Sequence, residues 1–177
     1  MGLETQLQNS GAVLADKVWL KDYRGAGVLP LDLTQLAPQK YYFLHRADLI
    51  EILLEGALDA GVVVKLSHEV KAVHSDAALT LADGTQHRAD LVIGADGVHS
   101  KVRSALNDVS APFFTGHVAW RAVVPNSFGR VNDVQVHMGP RRHLVSYPLR
   151  GGEQLNLVAV QERDAWLTES WTHEDDP

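Results

Sequence analysis

The chain has 177 residues, 45% of them hydrophobic and 21% charged, and a net charge of −6. This composition is typical of a globular protein with its own core, and it disfavours nucleic-acid binding, which depends mainly on basic side chains. The absence of cysteine excludes disulfides and cysteine-based zinc sites, and no apolar stretch approaches the roughly 20 residues of a membrane helix, so the cytoplasm is the expected compartment.

The first half of the chain predicts helices and strands in mixed order. Residues 3–7 read as the middle of a helix, and residues 17–44 alternate short apolar runs with turn residues, which favours irregular strands. Apolar positions recur at helical spacing over residues 46–60, and Gly61 is placed to end that helix. Four strands are expected next, over residues 62–66, 69–74, 77–81 and 89–94.

Two features refine this region. Asp83-Gly84 predicts a hairpin in which both residues adopt positive φ. The continuous apolar run 91–93 is typical of a strand that is covered on both faces, and a short helix should follow over residues 98–106.

After Pro112 the pattern changes to antiparallel strands separated by turns, so a domain boundary is expected near residues 110–116. The acidic end, residues 172–177, is expected to be a loop or a frayed terminus. The strands are predicted over residues 117–124, 134–138, 143–149 and 155–161.

The most informative segment, residues 90–103, runs from a buried strand through a turn of small residues into a helix. Backbone N–H groups in such a turn can face a phosphate, and Gly94 and Gly97 allow a ligand to approach the main chain. Asp96 could accept a hydrogen bond from a ribose, and Arg103 could pair with Asp96 or with a phosphate. An ordinary strand-to-helix turn with Asp96 as the N-cap explains the same residues, so both interpretations stay open.

This segment resembles the Asp-Gly motif of FAD-dependent aromatic-ring hydroxylases, the single-component flavoprotein monooxygenases that include para-hydroxybenzoate and salicylate hydroxylases. Two more matches occur in the order found in that family. Residues 45–49, His-Arg-Ala-Asp-Leu, resemble the start of a helix beside the flavin pyrophosphate, and Trp120-Arg121 with residues 143–149 resembles strands of the substrate domain. The resemblance extends from about Leu3 to Trp166.

The resemblance implies an α/β fold, mixed with α+β character: an incomplete FAD/NAD(P)-binding Rossmann-like domain joined to an antiparallel β-sheet substrate domain. The partial FAD-binding domain would cover residues 1–115 and the partial substrate sheet residues 116–177. The strands of residues 17–44 could belong to the substrate sheet.

The resemblance also implies cofactor-binding positions, at which Arg46 would contact FAD phosphates or ribose and Arg103 would hold Asp96. Arg46 could equally be a solvated residue at a helix start. The implied positions are Arg46, Val70, Gly94, Asp96, Gly97 and Arg103.

His143 and Tyr147 match a histidine and a tyrosine that line the aromatic substrate pocket in the family. Residues four apart on a strand share a face, so the spacing independently allows both rings to point into one cavity. An imidazole suits removal of a phenolic proton, which makes His143 the candidate base. Without the resemblance, His143 could be a histidine bonded to a backbone carbonyl, and Tyr147 a packing residue.

The implied function is hydroxylation of a small aromatic acid, of hydroxybenzoate, salicylate or hydroxynicotinate type, by O2 through a flavin hydroperoxide. FAD would be the cofactor and NADH or NADPH the electron donor. The nine histidines show no metal-binding spacing, so no metal is expected. Homo-oligomers could form through an exposed sheet edge.

Two parts of the family pattern do not occur between Met1 and Pro177: the Gly-x-Gly-x-x-Gly unit and a later Gly-Asp segment. We therefore expect the chain to be a middle piece of a longer flavoprotein that binds FAD weakly or not at all on its own. The alternative is a non-catalytic interaction module that keeps the fold and does not bind FAD.

Overall fold

The computed structural model describes residues 2–107, 111–130 and 132–166. Within these residues the chain forms three α-helices, namely α1 (Glu4–Asn9), α2 (Arg46–Asp59) and α3 (Lys101–Leu106). The strands before α3 are β1 (Val13–Leu14), β2 (Lys17–Asp22), β3 (Gly27–Asp32), β4 (Tyr42–Phe43), β5 (Val70–Val73), β6 (Ala78–Leu81) and β7 (Gln86–Arg88). Those after α3 are β8 (His117–Pro125), β9 (Asp133–Gly139), β10 (Arg142–Leu149) and β11 (Gln154–Glu162).

The chain divides into two compact units. Unit 1 comprises residues 1–61 together with 114–177, and unit 2 comprises residues 62–113. The expected boundary near residues 110–116 coincides with one of the two junctions. The assignment of residues 1–115 and 116–177 to flavin and substrate roles stays a prediction.

Unit 1 is built on a six-stranded sheet in the order β3-β2-β9-β10-β11-β8. Its neighbouring strands run antiparallel except for β2 and β9, which pair in parallel. The strands from residues 17–44 thus contribute β2 and β3 to the sheet that also contains the C-terminal strands. A small ribbon of β1 and β4 accompanies it.

The six-stranded sheet has two distinct faces because side chains alternate along each strand. One face, which we call the His143 face, carries His143, Val145 and Tyr147 of β10. The opposite face carries Ser146 and Pro148, which are both buried. Arg130 lies against this second face, since its Nη1 donates to the Ser146 hydroxyl over 2.7 Å.

Helix α2 begins and ends where the sequence predicts. The Nδ1 of His45 accepts a hydrogen bond from the Ala47 N–H, which caps the helix start. Gly61 follows the helix with φ of +81°, and its N–H donates to the Leu58 carbonyl. Ile52 is buried, whereas Leu53 is 47% exposed, so much of the apolar surface of α2 is open within unit 1.

Unit 2 contains the antiparallel meander β5-β6-β7. Two strands predicted here are wrong: the runs 62–66 and 91–93 form no strand. Val63 is 78% and Ile93 is 80% exposed. A run becomes a strand only when a neighbour completes its ladder, and none of the described residues supplies that neighbour.

The hairpin between β6 and β7 forms, but its turn differs from the expectation. Gly84 has φ of +86°, whereas Asp83 keeps negative φ. The Asp83 carboxylate instead accepts a hydrogen bond from the Thr85 N–H over 2.8 Å, an Asx turn that needs one left-handed residue rather than two.

The mixed α/β fold class is confirmed, as are the four strands after Pro112 and helices α1 and α2. Residues 172–177 lie outside the described part of the chain. No helix within the described residues is long and apolar enough to cross a membrane.

Candidate functional site

The His143 face brings together the two residues expected to line a substrate pocket. His143 and Tyr147 both project from this face of β10, with about 13 Å between their Cα atoms along the strand. The ring of Tyr147 packs against Phe43 of β4, with centroids 4.7 Å apart. The two residues share a face, but Tyr147 does not line the cavity beside His143, so their joint role in one pocket stays a prediction.

His143 lines a cavity of about 420 Å³ in unit 1. Its apolar lining comes from Val136 and Met138 of β9 and Val160 of β11. The volume falls within the usual range for small-molecule sites. The remaining lining residues are polar or glycine, namely His117, Gly139, Arg141, Arg142 and Glu162.

His117 is a second imidazole at this cavity, and no sequence motif indicates it. Its Nδ1 lies 3.0 Å from the carbonyl oxygen of Thr115. A carbonyl can only accept, so Nδ1 is the donor in this contact. The register of β8 on β11 brings this residue to the cavity, and no local motif reveals that register.

Two other residues join the His143 face through strand register. Asn156 lies directly opposite Tyr147, is 8% exposed, and its Nδ2 has no hydrogen-bond partner among the described residues. Arg121 pairs with Val158, which in turn pairs with Val145, so it lies level with the midpoint between His143 and Tyr147. Arg121 is exposed and makes no ion pair with any residue that the structure describes.

The turn over residues 94–100 of unit 2, which we call the Asp96 turn, is organised around the Asp96 carboxylate. It accepts hydrogen bonds from the Ser100 hydroxyl at 2.5 Å and from the N–H groups of Lys101 and Val102 at 2.6 and 3.3 Å. The Ser100 hydroxyl in turn accepts from the Arg103 N–H over 2.9 Å. The hydrogen bond from Ser100, followed by those from the two amides, holds the pKa of Asp96 below its ordinary value.

These hydrogen bonds partly answer whether the turn is a phosphate site or an ordinary capped helix start. The helix start of α3 is capped by the protein's own side chains, so the N–H groups of Lys101, Val102 and Arg103 are already engaged. The N-cap residue is Ser100, and Asp96 reinforces it from four residues upstream.

The expected contact between Arg103 and Asp96 is not made. The Nη2 of Arg103 donates to the carbonyl oxygen of Val98 instead. Both carboxylate oxygens of Asp96 are already bonded to Ser100 and to the backbone of α3, which leaves the guanidinium to satisfy a turn carbonyl.

The two glycines of this turn serve different purposes. A Cβ on Gly94 would lie 2.5 Å from the Cβ of Val102, so glycine is required here for α3 to pack closely. Gly97 has φ of +75° and no atom within 4 Å of the position that a Cβ would take, so its backbone is open.

Two expected cofactor positions remain. Arg46 is exposed at the first position of α2 in unit 1 and makes no ion pair among the described residues. Val70 begins β5 in unit 2, is half-buried, and pairs with Leu81.

A second cavity of unit 1, of about 730 Å³, lies beside α2. It is lined by four carboxylates, and its only arginine, Arg150, is already paired with Asp48. This charge balance repels a diphosphate. The four acidic residues are Asp48, Glu51, Glu55 and Glu153.

The donor chemistry of individual residues fits parts of FAD. The exposed guanidinium of Arg46 suits a phosphate, and the open backbone at Gly97 suits close approach of a ribose or phosphate. The capped amides of α3 do not offer the free donors of a phosphate-binding helix start.

Comparison with known proteins identifies the lineage. A family model described as "FAD binding domain" matches residues 1–164. The 3-hydroxybenzoate 6-hydroxylase 2 of Aquipseudomonas alcaligenes is 42% identical over 135 residues, which covers 69% of this chain and 41% of that protein. The salicylate hydroxylase of Pseudomonas putida is 29% identical over 165 residues, covering 81% of this chain and 37% of the relative.

Solved structures share the fold. A variant of HpxO from Klebsiella pneumoniae, complexed with FAD, superposes with a TM-score of 0.78 at 20% identity and covers 95% of this chain. The match spans 46% of that structure, so the chain corresponds to less than half the length of its relatives. Because the family model covers most of the sequence, the chain belongs to the FAD binding domain family, and its resemblance to FAD-dependent aromatic-ring hydroxylases is confirmed.

Proposed function

We propose that this chain supplies substrate-binding and flavin-binding residues of an FAD-dependent monooxygenase that hydroxylates a small aromatic acid. The observation that carries this proposal is the placement of His143 and Tyr147 on one face of β10, with His143 lining a cavity of about 420 Å³. The names of the relatives, a 3-hydroxybenzoate hydroxylase and a salicylate hydroxylase, support the same substrate class.

His143 is the base in this proposal. An imidazole can accept a phenolic proton near neutral pH, and the resulting phenolate is a stronger carbon nucleophile. The apolar lining from Val136, Met138 and Val160 would contact the ring and exclude water. Tyr147, held by Phe43, would orient the far side of the substrate through its hydroxyl.

Arg121 would bind the carboxylate of the aromatic acid. It lies on the His143 face about 10 Å from β10, two strands away, and its guanidinium is solvent-accessible. A guanidinium binds a carboxylate through two parallel hydrogen bonds. Arg121→Gln should therefore weaken binding of 3-hydroxybenzoate and leave binding of phenol, which lacks the carboxylate, unchanged.

FAD, when bound, supplies the oxygen-transfer chemistry, with NADH or NADPH as the electron donor and O2 as the second substrate. In this proposal Arg46 binds a phosphate or ribose oxygen of FAD, and the open backbone at Gly97 contacts the cofactor. The main chain around Val70 is the remaining proposed contact. Asp96 acts indirectly, since its hydrogen bonds fix the turn that carries Gly97.

The first experiment is a visible absorption spectrum of the 177-residue protein after incubation with FAD and gel filtration. Retained flavin absorbance would support FAD binding by this chain's own residues, and dihydroxylated product from 3-hydroxybenzoate with NADH or NADPH would then be measured. A colourless protein would reject the proposal that this chain holds FAD by its own residues.

The role of His143 is tested by His143→Ala beside a matched control. His137 pairs with Leu144, so it lies on the opposite face of the same sheet, and His137→Gln is the control. His143→Ala should lower the hydroxylation rate by roughly 10²- to 10⁴-fold at unchanged flavin content. Equal rates for the two variants would remove His143 from the mechanism.

Self-association is the second part of the proposal. The apolar runs 62–64 and 91–93 of unit 2 are 41–80% exposed at Val62, Val63, Val64, Leu91 and Ile93. An exposed apolar run without a ladder partner can pair with another chain, and we propose that the other chain is a second copy. Light scattering after gel filtration should give a dimer mass, and Val63→Lys should shift it to the monomer mass.

The cytoplasm is the proposed location, because the chain has no cysteine and so cannot form the disulfides that are common in oxidising compartments.

A further inference from the structure

An ion pair joins residues 102 positions apart in the sequence, between the start of α2 and the end of β10. The Nε of Arg150 lies 3.1 Å from one carboxylate oxygen of Asp48, and Nη2 lies 2.9 Å from the other. Both carboxylate oxygens therefore bond to one guanidinium, the geometry that gives arginine pairs their directionality. The Asp48 side chain is 18% exposed and the Arg150 side chain 44% exposed, so the pair is partly open to water.

The backbone at Arg150 has a conformation that is unusual for arginine. Arg150 has φ of +50°, in the left-handed region that favours glycine, and it begins an Arg-Gly-Gly turn. The next two residues are glycines with φ of +63° and +93°. An arginine in the first of these three positions is uncommon, and its guanidinium is the group that contacts Asp48.

The turn itself does not depend on Arg150. The Gly151 N–H donates to the Gly11 carbonyl over 2.7 Å, and the Asn126 Nδ2 donates to the Gly152 carbonyl over 2.6 Å. These two bonds fix the turn through its backbone. The Asp48–Arg150 pair is therefore not needed to shape the turn. It connects the turn to α2.

The two ends of the pair adjoin the two candidate sites of unit 1. Asp48 follows Arg46, the proposed FAD contact, by two residues in the first turn of α2. Arg150 directly follows β10, which carries His143 and Tyr147.

We propose that Asp48 and Arg150 are positioning residues that hold the Arg46 turn of α2 and the Tyr147 end of β10 in one fixed arrangement. This inference rests on the proposed function for Arg46 and Tyr147. Neither Asp48 nor Arg150 contacts a reacting atom in this account.

The test compares Arg150→Gly and Asp48→Asn with the wild type. Glycine fits the left-handed backbone at position 150, and asparagine keeps the shape of the aspartate, so both variants should fold with an unchanged urea midpoint or a small shift. Glu4→Gln is the control, because it removes the charge from the exposed Lys40–Glu4 pair of the same unit. The charge exchange Asp48→Arg with Arg150→Asp measures rescue, since aspartate tolerates the left-handed region.

Two readouts separate positioning from stability. Flavin fluorescence titration should give FAD affinity weakened roughly 10- to 100-fold in Arg150→Gly and Asp48→Asn, with partial recovery in the charge exchange and no change in Glu4→Gln. Hydrogen exchange of the protein without FAD should show faster exchange at both residues 46–50 and residues 147–152 in the two single variants.

The outcomes distinguish this inference from the proposed function. Wild-type affinity for FAD that persists unchanged in both single variants would overturn the positioning role and leave the function intact. If the wild type bound no FAD, the proposed function would be rejected. Hydrogen exchange would then test the positioning role by itself. Faster exchange at both segments would support the connection, and exchange unchanged at either segment would overturn it.

Discussion

Phe43 and Tyr147 pack against each other with ring centroids 4.7 Å apart and ring planes inclined by 31°. The contact joins the short ribbon strand β4 to β10, and it holds Tyr147 on the His143 face. A tilted aromatic pair of this kind adds stability beyond the area it covers.

Phe43→Ala should therefore lower the free energy of unfolding by about 2 kcal/mol, because the half-buried ring and its contact with Tyr147 are both lost. Urea unfolding followed by circular dichroism measures the change. Phe128→Ala is the control, since Phe128 is 85% exposed, and it should change the free energy by less than about 0.5 kcal/mol. Equal losses in the two variants would contradict the structural role of the pair.

Gly94→Ala tests whether glycine at position 94 makes room for α3 rather than for a ligand. The added methyl group would lie 2.5–2.9 Å from side-chain atoms of Val102, and we expect a loss of about 1–3 kcal/mol in unfolding free energy. Adding Val102→Ala should restore part of the loss by removing the contacted methyl groups. Failure of the double variant to recover any stability would point to a different cause.

Ser100→Ala removes a hydroxyl that accepts from the Arg103 N–H and donates to Asp96. Loss of an N-cap of this kind should destabilise α3 by about 1 kcal/mol, measured as faster hydrogen exchange over residues 101–106. Ser104→Ala is the control within the same helix, and alanine's helix preference should leave exchange there unchanged or slower.

The Asp48–Arg150 pair should make stability depend on pH in acid. The hydrogen bond from Arg150 lowers the pKa of Asp48 below its ordinary value of 3.8, against a smaller opposing effect of burial. A carboxyl with a lowered folded-state pKa stabilises the fold above its unfolded-state pKa, and this contribution disappears as pH falls through the folded-state value.

The difference in unfolding free energy between wild type and Asp48→Asn should thus be largest near about pH 6 and shrink below about pH 4. Urea unfolding at a series of pH values measures it, and Arg150→Gln should give the same pH profile. If the difference stayed constant down to about pH 2, Arg150 would not be lowering the pKa of Asp48 in the folded protein.

Local sequence was enough for elements whose signals lie within a few residues. Helix α2 has apolar spacing, a capping residue and a terminal glycine in one stretch, and it forms from Arg46 to Asp59. In the segments after Pro112, apolar and polar residues alternate and turn residues separate the runs. Strands β8 to β11 therefore form close to their predicted bounds. The motifs at residues 45–49, 90–103 and 143–149 likewise indicated the family correctly, because each is a local pattern.

The wrong predictions fell where the outcome depends on a partner. Residues 62–66 and 91–93 have strand-like sequences, yet strand formation requires hydrogen bonds from a neighbouring segment. The expected Arg103–Asp96 contact failed because the carboxylate bonds to Ser100 and to backbone amides at shorter range. Competition between several nearby donors cannot be read from spacing alone.

The sequence by itself determined the family, the helix of residues 46–59, and the shared face of His143 and Tyr147, because each follows from local periodicity or a contiguous motif. The tertiary structure alone decided that His117 lines the His143 cavity and that Asp48 pairs with Arg150. It also decided that the Val102 side chain occupies the space a side chain at position 94 would need. These contacts depend on strand register, helix packing and turn geometry, which bring together residues that no sequence window contains.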